Sequence, residues 1–266
     1  MCNSTLFRQG IKANYKVFLG FLALITLYVV VVVYIFDPRM SAVLDQFAQL
    51  MPELMAMFGM VGSGTTLIGF MSSYLYGFLL LLFPMVFTII LANQLVVRYV
   101  DTGSMTYLLS SPNPRGRIIR TQMLVLLCSI AFTICYVTLL GIAVAEIYFP
   151  GQLDIGRFVL LNVGALGLHV AIGGISFLAS AACNETRNAL LFGAGSLVTF
   201  YLLQMVANLG GPMAWAKYLT IFTLFDPDGI VAGNSTAFVM MGALFVLGIV
   251  CFTVANRVFI RRDLPV

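Results

Sequence analysis

The stretch Leu27–Phe36 reads LYVVVVVYIF and lies inside one of six segments in which apolar residues run on with scarcely a charge. A helix that crosses about 30 Å of hydrocarbon needs about 20 such residues, far more than a strand or a short core helix uses. The six segments are 17–36, 73–96, 123–147, 158–181, 189–208 and 238–258. In lipid the backbone must satisfy its own N–H and C=O groups, which leaves helices or closed barrels. The valine run lacks the alternating polar residues of a barrel strand, so the predicted fold class is all-α, a single transmembrane domain over 1–266. Composition agrees, with 61% hydrophobic and 9% charged residues against about 25% charged in a soluble domain.

Charge gives the orientation. With the N-terminus in the cytoplasm, eleven of the fourteen Lys and Arg fall on that side and only Arg39, Arg157 and Lys217 face out. That is the positive-inside pattern, with both termini cytoplasmic. Asp37, Asp45, Glu53, Glu146, Asp154, Asp226 and Asp228 fall outside and make that face locally anionic. The first span has no small-residue cleavage site after it and is expected to stay attached. Small size and bare termini fit a bacterial plasma membrane. Cys128, Cys135 and Cys251 lie in spans, while Cys2 and Cys183 are cytoplasmic, so no disulfide framework is implied.

Between the spans the chain is not plain loop. Arg8, Lys12 and Lys16 recur every fourth residue, so 1–16 reads as a cationic helix on the inner leaflet, or as cations that only set topology. The external segment 37–72 carries Val43, Leu44, Phe47, Leu50, Met51, Leu54 and Met55 at helical spacing, which predicts one or two amphipathic helices. Their methionines would either adapt to hydrophobic substrates or pack on helix ends or on a second subunit. Gly59–Gly69 reads as a flexible return. In the external segment 209–237, Gly210-Gly211-Pro212 and Asp226-Pro227-Asp228-Gly229 bracket a short interfacial or re-entrant helix over Trp215–Phe225, with Trp215 and Tyr218 at headgroup depth.

Inside the spans, Pro84 predicts a kink near the middle of the second. Asn162, His169 and Ser176 are spaced by seven on the fourth span and so share one face. Gly193, Ser196, Phe200 and Gln204 form a similar seam on the fifth. Polar groups in hydrocarbon need partners, so Asn162, His169, Ser176 and Gln204 line either a pathway or a helix-packing face.

The segment 98–121 is the one long cation-rich polar stretch. Asp101 or Thr102 is placed to cap a short helix whose Met105, Leu108 and Leu109 fall at i, i+3, i+4, and Pro112 and Pro114 forbid continuation. So short a helix is marginal in water and needs its apolar face covered, by a partner's groove or by the protein's own helix ends.

The string Asp101-Thr-Gly-Ser-Met-Thr-Tyr-Leu-Leu-Ser-Ser-Pro, with Arg115 and Arg117 following and Thr121-Gln122 opening the third span, resembles the loop between spans two and three of ABC-2 type permeases. The whole layout resembles that family too: amphipathic N-terminus, six spans, cytoplasmic ends and a broken apolar element before the last span. The resemblance implies the membrane half of an ATP-binding cassette exporter. Asp101, Gly103, Ser104, Met105, Tyr107, Leu108 and Leu109 would form a coupling helix seated in a cytoplasmic ATPase. Asp101 stands where Glu is common, and Asn113-Pro114 replaces a more usual small-residue turn. The family also implies a second permease copy, identical or related, and an amphipathic or hydrophobic substrate such as a peptide or drug.

Other features narrow the classes. No G-x-x-x-x-G-K-[ST] phosphate loop occurs, so the chain is not expected to be an enzyme; ATP and Mg would sit on the partner subunit, with no cofactor bound here. One His and scattered Cys make no metal site, and membrane lipids rather than nucleic acid are the expected surroundings. The rivals are an ion-coupled secondary transporter, which predicts buried charges and an internal repeat not found here, and a non-transporting scaffold or signalling subunit.

Overall fold

The computed structural model describes residues 3–36, 46, 49–60, 66–110 and 114–263. Their regular structure is all helical, and six helices are long and apolar enough to cross a membrane. In chain order the helices are α1 (Ser4–Ile35), α2 (Pro52–Met57), α3 (Leu67–Tyr76), α4 (Leu79–Leu95), α5 (Val97–Asp101), α6 (Met105–Leu109), α7 (Arg115–Tyr148), α8 (Ile155–Ala182), α9 (Thr186–Asn208), α10 (Pro227–Ala232) and α11 (Ser235–Arg261). Two 3-10 helices, Gly211–Leu219 and Ile221–Leu224, link α9 to α10.

Helix α8 is the hub, packing on α11, α4, α9 and α7. Lipid tails are as apolar as leucine, so helices here gain by close van der Waals contact, which small residues allow. At the α8–α11 crossing a methyl on Gly174 would lie 2.9 Å from the Gly248 carbonyl oxygen, and one on Gly248 would lie 2.9 Å from the Val170 carbonyl oxygen. The backbones therefore touch where those two glycines meet. Beside the crossing Phe177 of α8 is fully buried, its ring 5.5 Å from that of Phe252 of α11.

Helices α1 and α7 run parallel. The Asn3 N–H donates to Thr121 Oγ1 at 3.1 Å near one end, while the Tyr34 and Tyr148 rings meet edge-on, 5.6 Å apart, near the other. The first of these ends also gathers α5, α6, the α8–α9 link and the last turn of α11, and it carries Arg98, Arg115, Arg117, Arg187, Arg261 and Arg262; we call it the basic end. The far end holds α2, α3, the 3-10 pair and α10.

Several expectations change. The interfacial helix over 1–16 and the span over 17–36 are one continuous element, α1. Asn3 caps it by accepting the Thr5 and Leu6 N–H groups, and no residue up to Ile35 breaks the ladder. At 1.5 Å per residue this helix is about 48 Å long, well beyond the hydrocarbon thickness.

The second span starts later than residue 73 because the chain breaks at Gly77-Phe78. A methyl on Gly77 would lie 2.8 Å from the Phe58 carbonyl oxygen, so only glycine admits that backbone. Helix α4 continues through Pro84, and its ends fall at breaks after Gly77-Phe78 and at Val96. Leu67–Gly69, expected in a flexible return, open the buried helix α3, which Thr66 caps. Arg115–Thr121 are helical rather than loop, since Pro114 suits a helix start and the arginines that follow are good helix formers.

Residues 211–224 form 3-10 turns in place of an α-helix, and Trp215 and Tyr218 are exposed on them. Of the external amphipathic helices, α2 carries Leu54, Met55 and Met57, whereas Val43, Leu44 and Phe47 lie outside the described residues.

The helix crossing yields a prediction. Gly248→Leu forces α8 and α11 apart and lowers stability by about 1–3 kcal/mol or more, the usual cost of overpacking. Gly242→Ala, on the same helix with nothing within 4 Å, leaves stability unchanged or raises it slightly. Thermal unfolding of detergent-purified variants checks this, and equal midpoints for Gly248→Leu and wild type would contradict the close crossing.

Candidate functional site

The site begins at a broken helix. Val96, at φ −128° and ψ −73°, leaves helical geometry between α4 and α5, and the chain turns into the segment that carries the predicted coupling residues. A break in a buried helix strands backbone groups that hydrocarbon cannot hydrate. Ser180 of α8 takes them up. Its hydroxyl donates to the Ala92 carbonyl at 3.0 Å and accepts from the Val97 N–H at 3.1 Å, and the side chain is fully buried. One hydroxyl is thus inserted into the backbone ladder of another helix, which is a recognised cause of a sharp bend.

Beyond the bend, Val97 and Val100 are buried and the Thr102 hydroxyl donates to the Arg98 carbonyl at 2.8 Å. Gly103 then reverses the chain at φ +69°, a conformation costly for any residue with a Cβ. Helix α6 follows. Its sequence-predicted cap is corrected here: Asp101 ends α5, and its Oδ2 accepts the Thr186 N–H at 3.3 Å, tying α5 to the start of α9. Ser104 stands at the α6 N-cap position without a capping bond.

Two residues of the apolar stripe pack on the protein itself. Met105 is buried and Leu108 half-buried, both against the core formed by α4, α7, α8 and α11. These two are covered by the protein's own helix ends. The opposite side of α6 is open, with Tyr107 82% exposed between Thr106 and Ser110. The side chain of Leu109 lies outside the described residues. What this geometry presents is a short helix buttressed from behind with an aromatic ring projecting from its front.

Two arginines brace this end. Arg262 caps α8, donating from Nη1 to the Ala181 carbonyl at 2.7 Å and the Cys183 carbonyl at 3.0 Å, where a cation also suits the helix dipole. Arg115 Nη1 donates in turn to the Arg262 carbonyl at 3.1 Å, so the start of α7 and the end of α11 are joined. Burial pushes the Cys183 thiol up, and the neighbouring Arg262 charge draws it partly back. Beside α5, a cleft of about 430 Å³ is lined by Asn93, Gln94, Arg98, Asp101 and Thr186.

The polar ladder on α8 lies where its spacing put it. Asn162, His169 and Ser176 are all buried, with 1–2% exposure. Asn162 Nδ2 donates to the Phe158 carbonyl of its own helix at 2.9 Å. The Ser176 hydroxyl and both His169 ring nitrogens form no hydrogen bond of good geometry among the described residues. His169 does lie against the Leu80 carbonyl. Pro84, having no N–H, leaves that carbonyl without its usual helical donor. Gln204 sits apart, near the far end, in a network of its own. Its Nε2 donates to Asn208 Oδ1 at 2.9 Å, its Oε1 faces the Thr223 hydroxyl at 2.8 Å, and Asn208 Nδ2 donates to the Met57 carbonyl at 3.3 Å. The structure therefore brings Asp101, Gly103, Ser104, Met105, Tyr107 and Leu108 together at the basic end, strings the α8 ladder through the bundle, and leaves Gln204 at the opposite end.

Ser180 and Arg262 escape sequence reasoning in their actual roles. Ser180 looks like a small packing residue and Arg262 like a topology charge; the only local signal is their position at the end of a span. We expect Ser180→Ala to strand two buried backbone groups, each worth about 1–3 kcal/mol. The unfolding midpoint should fall and chymotrypsin cleavage at Tyr107 should rise, while Ser180→Thr, which keeps the hydroxyl, retains most of the stability. An unchanged midpoint and cleavage rate for Ser180→Ala would show that the bridge carries nothing. A scan of the chain against protein-family models matches no family, and a search of curated proteins finds no match.

Proposed function

We propose that this chain is the membrane subunit of an ABC-2 type exporter. It moves an amphipathic or hydrophobic compound across a bacterial plasma membrane, working as a homodimer or related heterodimer with cytoplasmic ATPase subunits. The observation that carries the reading is the exposed face of α6. Tyr107 projects from a helix whose back is fixed by Met105 and Leu108 and whose base is tied through Asp101 to Thr186. A push on such a helix travels into α5, then through Ser180 into α8, the element packed on most of the others. ATPases closing around ATP would supply the push, and the helices would move between two packed arrangements. ATP and Mg belong to the partner, and the basic end faces it.

An ion-coupled carrier has one observation in its favour, a His169 buried in the bundle against the Leu80 carbonyl. No Asp or Glu is fully buried beside it among the described residues, and an imidazole without a carboxylate partner is a poor coupling site.

The test is binding. Tyr107→Asp should leave the protein folded, since the side chain is exposed, and should weaken co-purification with the cognate ATPase at least tenfold when the two are co-expressed. Met105→Asp should instead destabilise the protein, because it places a charge in the core. Undiminished co-purification of Tyr107→Asp would overturn the docking face.

A further inference from the structure

At the far end, α3, α9, the second 3-10 helix and α10 enclose a cleft of about 420 Å³. Its walls are of two kinds. Leu81, Phe222, Phe225 and Met240 give an apolar side, while Asp226, Asp228 and the amides of Gln204 and Asn208 give a polar one. Neither carboxylate is ion-paired among the described residues. Among the described residues each accepts one neutral donor, Asp226 Oδ1 from the Gly229 N–H at 2.9 Å and Asp228 Oδ1 from the Ser72 hydroxyl at 2.9 Å.

Of the three cations expected on this side, Arg157 pairs with Asp154 at 3.2 Å, the Lys217 ammonium lies 5.1 Å from the centre of the Tyr218 ring, and Arg39 lies outside the described residues. One wall of the cleft is aromatic: the Tyr76, Phe222 and Phe225 side chains line it and are buried. Two half-used carboxylates beside an aromatic wall ask for one kind of guest, an organic cation with hydrogen-bond donors and an apolar tail.

We propose that this cleft binds cationic amphiphiles, compounds that join a guanidinium or primary ammonium to a hydrocarbon or aromatic body. The head meets Asp226 and Asp228 and the tail lies along Phe222, Phe225 and Met240. The proposal deepens the exporter reading by naming the charge of the transported class, and rests on that reading only for the word transported. Binding itself requires no ATPase.

The test uses dodecylguanidinium as the probe and the full chain in a neutral maltoside detergent, followed by titration calorimetry. Asp226→Asn keeps an oxygen to cap α10, and Asp228→Asn keeps an oxygen for Ser72, so the double variant removes charge with little change of shape. Wild type should bind the probe saturably and at least tenfold more tightly than the double variant does, and more tightly than it binds dodecanol. Asp154→Asn, which removes a carboxylate outside the cleft, should bind like wild type. Should the double variant elute as aggregate, Asp228→Asn alone, on an exposed side chain, should still weaken binding severalfold. Equal binding by wild type and the charge-removed variants, or equal affinity for dodecanol, would overturn the site. A loss of ATPase docking with probe binding intact would sink the exporter reading and leave the cleft standing.

Discussion

One buried hydroxyl, that of Ser180, lets the second membrane helix end its run and turn. Where the ladder breaks at Val96, the Ala92 carbonyl and Val97 N–H would otherwise be stranded in an apolar interior, and each unsatisfied group there costs more than a typical net hydrogen bond returns. With Ser180 in place, the break becomes a fixed corner. Everything proposed for the basic end hangs from that corner: α5, the glycine reversal at Gly103 and the short helix that shows Tyr107 to the outside.

The same corner makes mechanical sense of the packing. Helix α6 is too short to hold itself together, so its stability must come from Met105 and Leu108 set into the core. Being held, it can transmit displacement rather than absorb it. Its neighbours are equally tied, Asp101 to the start of α9, Arg262 to the end of α8 and Arg115 to the end of α11. The basic end thus behaves as a frame of capped helix termini, while the far end, built from 3-10 turns and short helices around a cleft, holds the more irregular backbone.

How much of this the sequence reveals depends on the range of the interaction. Span count and the shared face of Asn162, His169 and Ser176 follow from composition and periodicity, which are local. The spacing of Met105 and Leu108 also shows a stripe, but not whether the stripe faces inward or outward, because that depends on helix ends distant in sequence. Arg262 meets Ala181 across 81 positions and Ser180 meets Val97 across 83, so neither contact leaves a local trace. Gly77 misleads for a related reason: apolar residues on both sides read as one span, and only the pressure of the Phe58 backbone shows why the helix stops there. The cleft carboxylates are visible as an Asp-Pro-Asp-Gly turn, yet the arrival of Ser72 and Tyr76 from a helix some 150 positions earlier is not.

The central claim is that work enters this bundle from a separate ATP-hydrolysing protein, and its most direct measurement is ATP turnover in proteoliposomes. The chain, reconstituted with its cognate ATPase, should give a hydrolysis rate that responds severalfold to an added amphiphile, whereas the ATPase alone should not respond. A rate that is the same with and without the chain, at every amphiphile concentration, would contradict the account.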